Sequence, residues 1–314
     1  MLRIVSLLPA ATEIAAALGL MDQVVGVSHE CDHPPAARHK QRVTFCEIHE
    51  VPLPSNEVDH WVREVLASRG TLYTMNEPLM RRVHPDVILT QKLCDVCAVG
   101  YDSVARLAAT LPGPPTVINL EPSNLKDIFA NIQLVADVTG VKPKGRSVIA
   151  ALQKRVEAVR VRVAKANHRP RCSLLEWIEP LYCSGHWGPE LVEIAGGDDL
   201  LGRKGRDSTR IQWENVLKAR PEVLVLACCG YSIQRTLRDV PILQAHPEWN
   251  SLPAAQNNQV YAVNGSAYFS RPGPRIVDSL ELLAGIVHPD LAAELALESM
   301  GSARIARVKP AIAT

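Results

Sequence analysis

Apolar positions along this chain alternate between two spacings. Short runs dominated by Val, Ile and Leu stand at 4–8, 24–28, 86–90 and 116–120, with the length and composition of buried strands. Between them, apolar residues recur at three- and four-residue steps over 10–18, 57–68, 101–110 and 125–139, which predicts helices. The rhythm returns in the second half, with strands at 172–177, 223–227 and 260–263 and helices near 190–195, 234–245 and 275–287. Such alternation predicts parallel sheets covered by helices. Val148, Ala151, Leu152, Val156, Val159 and Val163 form one stripe of a single long helix over 144–167, which Asn167-His-Arg-Pro170 ends. The expected fold is α/β: two Rossmann-like lobes with parallel sheets joined by one long helix. The N-terminal lobe would span 1–143, the linking helix 144–167 and the C-terminal lobe 168–290. A loosely attached tail would follow over 291–314.

Composition narrows the function classes. The 314 residues are 47% hydrophobic and 21% charged, and 34 basic against 33 acidic side chains leave a formal charge of +1. A near-neutral chain with no basic run offers little to a phosphate backbone, so no nucleic-acid partner is expected. No stretch approaches the roughly 18 apolar residues of a membrane helix, so the chain is not expected to be membrane-embedded. Met1-Leu-Arg-Ile-Val-Ser6 runs straight into a strand, without the basic start and cleavage site of a secretory signal. On that ground the expected location is cytoplasmic, or periplasmic or extracellular if a leader has been removed. Eight cysteines fit a reducing compartment. Cys172, Cys228 and Cys229 sit in or beside apolar strands and read as small core residues.

Chemistry-bearing residues gather after the strands. Ser6-Leu-Leu-Pro-Ala-Ala-Thr-Glu13 is a strand-to-helix turn, where Pro9, Ala10 and Ala11 leave room beside backbone amides. Gly26-Val-Ser-His-Glu-Cys-Asp-His-Pro-Pro35 packs His29, Glu30, Cys31, Asp32 and His33 into five residues. Cys94-Asp-Val-Cys97 follows a third strand that would end on the same sheet edge. Cys31, Cys94, Cys97 and a histidine such as His29 would make a four-ligand set for Zn or an Fe–S centre; mutually hydrogen-bonded thiols are the other reading. Trp177, Tyr182, His186, Trp187, Trp213, Tyr268 and Phe269 bring aromatic rings to loops of the second lobe, as a large, flat ligand requires. No nucleophile elbow, P-loop or GxGxxG occurs.

Six segments in one order carry a resemblance. They are Ser6-Leu-Leu-Pro-Ala-Ala-Thr-Glu13, Gly26-Val-Ser with Asp32-His-Pro-Pro35, Arg82-Val-His-Pro-Asp-Val-Ile-Leu89, Glu193-Ile-Ala-Gly-Gly197, Arg220-Pro-Glu-Val-Leu-Val-Leu226 and Tyr268-Phe-Ser-Arg271 with Pro274-Arg275. Together they resemble the vitamin B12-binding proteins of ABC importers, in the helical-backbone class that includes siderophore, haem and some metal binders. The resemblance implies a non-enzymatic protein that holds cobalamin or a related corrinoid between two lobes, for storage, delivery or salvage. It places Pro9, Ala10, Ala11, His33 and Tyr73 against the ligand from the first lobe, and Trp177, Trp213 and Tyr268 from the second, where Trp187 is a further candidate contact from its aromatic loop. His33 stands where such binders often carry Tyr, and would approach the cobalt. One alternative is the substrate-binding subunit of an ABC importer for cobalamin, haem or siderophore, docking on a permease. Such subunits display an acidic residue on each lobe; Glu77 lies near the first position, and Glu214 is the nearest in the second lobe. The other alternative is a Zn or Fe–S protein using Cys31, Cys94 and Cys97.

Overall fold

In the computed structural model, which describes residues 1–46, 53–92, 99–291 and 305–309, the chain divides into two compact units. The first comprises Met1–Leu53, Glu57–Pro122 and Lys126–Ala151; the second comprises Pro54–Asn56, Ser123–Leu125 and Leu152–Thr314.

The first unit runs through β1 (Ile4–Ser6), α1 (Pro9–Ala17), β2 (Val24–Val27), β3 (Gln41–Arg42), β4 (Thr44–Cys46), α2 (Ser55–Arg69), β5 (Tyr73–Met75), α3 (Glu77–Val83), β6 (Val87–Thr90), α4 (Tyr101–Thr110), β7 (Thr116–Asn119) and α5 (Leu125–Val138). Its sheet has the order β3-β2-β1-β6-β7, and every pairing is parallel. Val5, Leu7, Ile88, Val104 and Leu107 meet in one of its hydrophobic clusters. β4 and β5 form a separate antiparallel ribbon.

Helix α6 (Lys142–Val163) begins two residues before the sequence pattern places it and ends four residues earlier. Pro143 fits the first turn, where no amide is needed. Gly145 sits inside because a Cβ there would stand 2.5 Å from Ala136 Cβ; only glycine lets the two chains approach so closely. Beyond Val163 the amides of Lys165 and Ala166 bond three residues back, to Arg162 and Val163, so the helix tightens and stops.

The second unit continues with β8 (Cys172–Trp177), β9 (Tyr182–Cys183), β10 (Gly185–His186), α7 (Gly188–Ile194), β11 (Arg203–Lys204), α8 (Trp213–Ala219), β12 (Val223–Leu226), α9 (Ile233–Gln244), α10 (Pro253–Gln256), β13 (Val260–Val263), α11 (Ile276–Val287) and β14 (Ile305–Arg307). The sheet order is β14-β13-β12-β8-β9. Its three middle strands are parallel, as expected, whereas both edges are antiparallel. The edge strand β14 corrects the expectation of a loose tail. Its partner is β13, the Val308 amide donates to Val260 O at 2.8 Å, and Val308 belongs to the core. One strand of hydrogen bonds and a buried valine suffice to hold it.

Both units start their first strand with the same device. The Arg3 amide donates to Asp86 Oδ2 at 2.7 Å and its Nε to Val83 O; the Arg171 amide donates to Glu222 Oε2 at 3.0 Å and its Nε to Arg220 O. In each case a left-handed residue (His84, Arg220) ends a helix. A proline, an acid and a buried strand follow.

Candidate functional site

In the first sheet the chain winds outward from β1 through β2 on one side and through β6 and β7 on the other. The order therefore reverses between β1 and β6, and the carboxyl ends of those strands form the crevice where such sheets take ligands. Pro9 occupies the first turn of α1, which Leu8 precedes without a side-chain cap. Pro9, Ala10 and Ala11 are all buried.

The 28–33 loop leaves the neighbouring strand β2. Arg42 pins it, donating through Nη1 to Ser28 O at 2.7 Å and to Cys31 O at 2.6 Å. His29 Nδ1 lies 2.8 Å from Thr44 Oγ1, and its ring is 5.4 Å from that of Tyr73. Tyr73 is itself buried in the core. Cys31 is 0% exposed, with Sγ 3.1 Å from Thr12 Oγ1. His33 is exposed on the same loop. Cys94 and Cys97 lie outside the described residues. Among the described residues no group of three or more His, Cys, Asp or Glu is placed to hold a metal ion.

In the second unit the three parallel strands each deliver an aromatic residue beyond their carboxyl ends. Trp177 closes β8, Tyr231 follows β12, and Tyr268 lies in a π-helical turn (Gly265–Phe269) after β13. The rings of Trp177 and Tyr231 are 4.6 Å apart. The Arg235 guanidinium covers the Tyr231 ring at 4.2 Å and donates to its hydroxyl at 3.0 Å. Asp239 holds Arg235 from the next turn at 3.0 Å. Burial pushes the Tyr231 hydroxyl above its ordinary range, so it stays a neutral donor. Arg275 stands 5.0 Å over the Tyr268 ring. Half-exposed rings backed by guanidinium groups present apolar faces with a positive margin.

Two of the expected aromatic contacts are buried in the core. Trp213 is 7% exposed and belongs to the core, stacked on His246 at 4.3 Å and near Trp249 at 6.3 Å. Its apolar surface is committed to packing because it opens α8, whose inner face meets the sheet. Trp187 is also buried and acts as a strut, its Nε1 donating to Phe269 O at 2.9 Å. Tyr231, Arg235, Arg42 and Thr44 were not singled out from the sequence as contacts. The Tyr231/Arg235/Asp239 spacing of four, starting just after a strand and Gly230, was the available signal.

Glu176 precedes Trp177 and accepts the Gly185 amide at 3.0 Å. Desolvation pushes its carboxyl up to about 7, against hydrogen bonds from Gly185 and Ser208. Asp199 is likewise raised by burial, though the Leu201 and Gly202 amides and the Ser184 hydroxyl hold it.

The family model described as periplasmic binding protein matches residues 4–267. The chain belongs to this family. Its members are solute-binding proteins, in agreement with the expectation of a binder rather than an enzyme. The family's periplasmic character does not support the cytoplasmic location expected from the first residues. This binding protein is 24% identical over 289 residues to the vitamin B12-binding protein of Vibrio cholerae, an alignment covering 89% of this chain and 86% of the relative. The crystal structure of a periplasmic vitamin B12-binding protein from Vibrio cholerae superposes with a TM-score of 0.64 at 24% identity, covering 91% of this chain and 96% of that one. A periplasmic haem-binding protein from Roseiflexus sp. RS-1 gives 0.67 at 19% identity, covering 95% and 99%. These likenesses confirm the two-unit α/β fold. No helix among the described residues is long and apolar enough to cross a membrane.

Proposed function

We propose that this binding protein captures a corrinoid, cobalamin or a close relative, and hands it to the permease of an ABC importer. The supporting observation is the Trp177–Tyr231 pair, with rings 4.6 Å apart and Arg235 seated over Tyr231. Together with Tyr268 it offers a macrocycle apolar contact at the carboxyl ends of three strands. The vitamin B12-binding relatives support a corrinoid as the ligand, and haem is the competing one. At the carboxyl edge of the first sheet Pro9, Ala10, Ala11 and His33 are proposed as ligand contacts, and Tyr73 would act by orienting His29. Residence outside the cytoplasm follows from an importer role.

Titration of the purified protein with aquocobalamin, haemin and a ferric hydroxamate siderophore, read by tryptophan quenching and gel filtration, tests the proposal. A stoichiometric coloured complex with the corrinoid, tighter than with the other two, is the expected result. Preferential binding of haemin or the siderophore would overturn it.

A further inference from the structure

The segment Arg203-Lys-Gly-Arg-Asp-Ser-Thr-Arg210 carries four cations against one acid, in a chain whose net charge is only +1. Lys204 is paired with Glu193. Arg203, Arg206 and Arg210 are exposed, and no side-chain partner is found for any of them among the described residues.

The backbone beneath these arginines is tightly held. Arg203 N donates to Ser184 O at 2.8 Å, Gly205 N to His186 O at 2.8 Å, and His186 N to Arg206 O at 2.6 Å. A Cβ on Gly185 would stand 2.2 Å from Ser208 N, so only glycine admits this packing. Glu176 clamps the same place, accepting from the Gly185 amide and the Ser208 hydroxyl. Register then sets where the cations stand. Arg203 is opposite Gly185 in the β10–β11 ribbon, and Arg210 bridges to Tyr182. Tyr182 lies opposite Trp177 at the carboxyl end of β8, and the chain then turns back along β8 to Gly185. Arg210 therefore stands at the aromatic edge already described, and Arg203 lies a few residues back along the same strand.

Three guanidinium groups spread along one fixed backbone, the last of them beside aromatic rings, suit a flat ligand with several separated anionic arms. A planar fork pairs with a carboxylate through two parallel hydrogen bonds. The peripheral arms of cobalamin are amidated, and the single phosphodiester of its nucleotide loop would offer an anionic partner to at most one of these three donors. We infer that Arg203, Arg206 and Arg210 select corrinoids whose peripheral acetate and propionate arms are still free carboxylates. This inference rests on the corrinoid reading above and names the form of the ligand.

The test compares dicyanocobyrinic acid, which has free carboxylates, with its heptamethyl ester, which has the same ring without the charge. Binding to the whole protein is measured by tryptophan quenching in about 0.05 M and about 0.5 M salt. The acid should bind roughly tenfold tighter than the ester at low salt, with the gap shrinking at high salt. In the triple variant R203Q/R206Q/R210Q the acid should fall to the level of the ester, while the ester and the melting temperature stay unchanged. The single variant R210Q should lose part of the preference and guards against a misfolded triple variant. Equal wild-type affinities, or an acid preference that survives in the triple variant, would overturn the inference and leave the corrinoid reading intact. Failure of both probes to bind while aquocobalamin still binds would overturn the inference alone, and failure of aquocobalamin as well would overturn both.

Discussion

Arg155 and Glu281 form a two-pronged ion pair, with Nε 2.8 Å from Oε1 and Nη2 2.6 Å from Oε2. The same Nη2 reaches Asp278 Oδ1 at 2.6 Å. The arginine comes from the part of α6 that belongs to the second unit and both acids from α11, so the pair fastens that segment to α11. The two acids hold the guanidinium charged well beyond any accessible pH. Arg155→Met would strand two largely buried carboxylates. A loss of about 1–3 kcal/mol is expected, toward the low end of what breaking a buried pair costs because Arg155 is 38% exposed. Urea unfolding measures it, and adding Asp278→Asn and Glu281→Gln should restore most of the loss.

Trp213 is now expected to matter for stability. Trp213→Ala should cost about 3–5 kcal/mol, the range for emptying a buried aromatic site. Trp213→Phe should cost much less and bind the ligand as the wild type does. A binding defect in the Phe variant at unchanged stability would return Trp213 to the ligand surface.

Trp177 is the residue expected to carry affinity. Trp177→Leu keeps apolar packing against the core but removes the ring beside Tyr231. Corrinoid binding should weaken by roughly 1–3 kcal/mol, the value of one large apolar contact. Calorimetric titration provides the number, and an unchanged affinity would move the ligand off this edge.

Glu176 gives a pH dependence with a definite sign. Its folded value of about 7 lies above the ordinary 4.5, so the folded state binds the proton more tightly than the unfolded chain. The favourable contribution is fully present below about 4.5 and is lost as pH rises towards about 7. Glu176→Gln should flatten this part of the curve by about 1–3 kcal/mol. Chemical denaturation at several pH values is the check, and identical curves would contradict the assignment.

Thiol chemistry follows burial. Cys31, Cys46, Cys172, Cys183 and Cys228 are buried and Cys229 is partly exposed; desolvation pushes Cys228 up to about 12. In a C94S/C97S background, a thiol reagent should modify Cys229 quickly and the other five only after unfolding. Fast labelling of Cys31 would show that its contact with Thr12 is open to solvent.

The order of strands and helices was legible in the amino acids because apolar spacing reports which face of each element is buried. The three- and four-residue spacing over 101–110 marks helix α4, and the apolar run at 172–177 marks strand β8. The aromatic edge was partly legible, since Trp177 and Tyr268 follow strand-like runs. What local pattern cannot express is partnership across the chain. Nothing near Trp213 marks it as the stacking partner of His246, and nothing near Ile305 announces a strand whose partner lies over forty residues away in β13. Arg235 reads as one more helical cation until the fold sets it over Tyr231. Elements follow from sequence because their hydrogen bonds and burial repeat within a few residues. Only the tertiary structure decides which rings pack inward and which stay available, because that depends on residues brought together from distant parts of the chain.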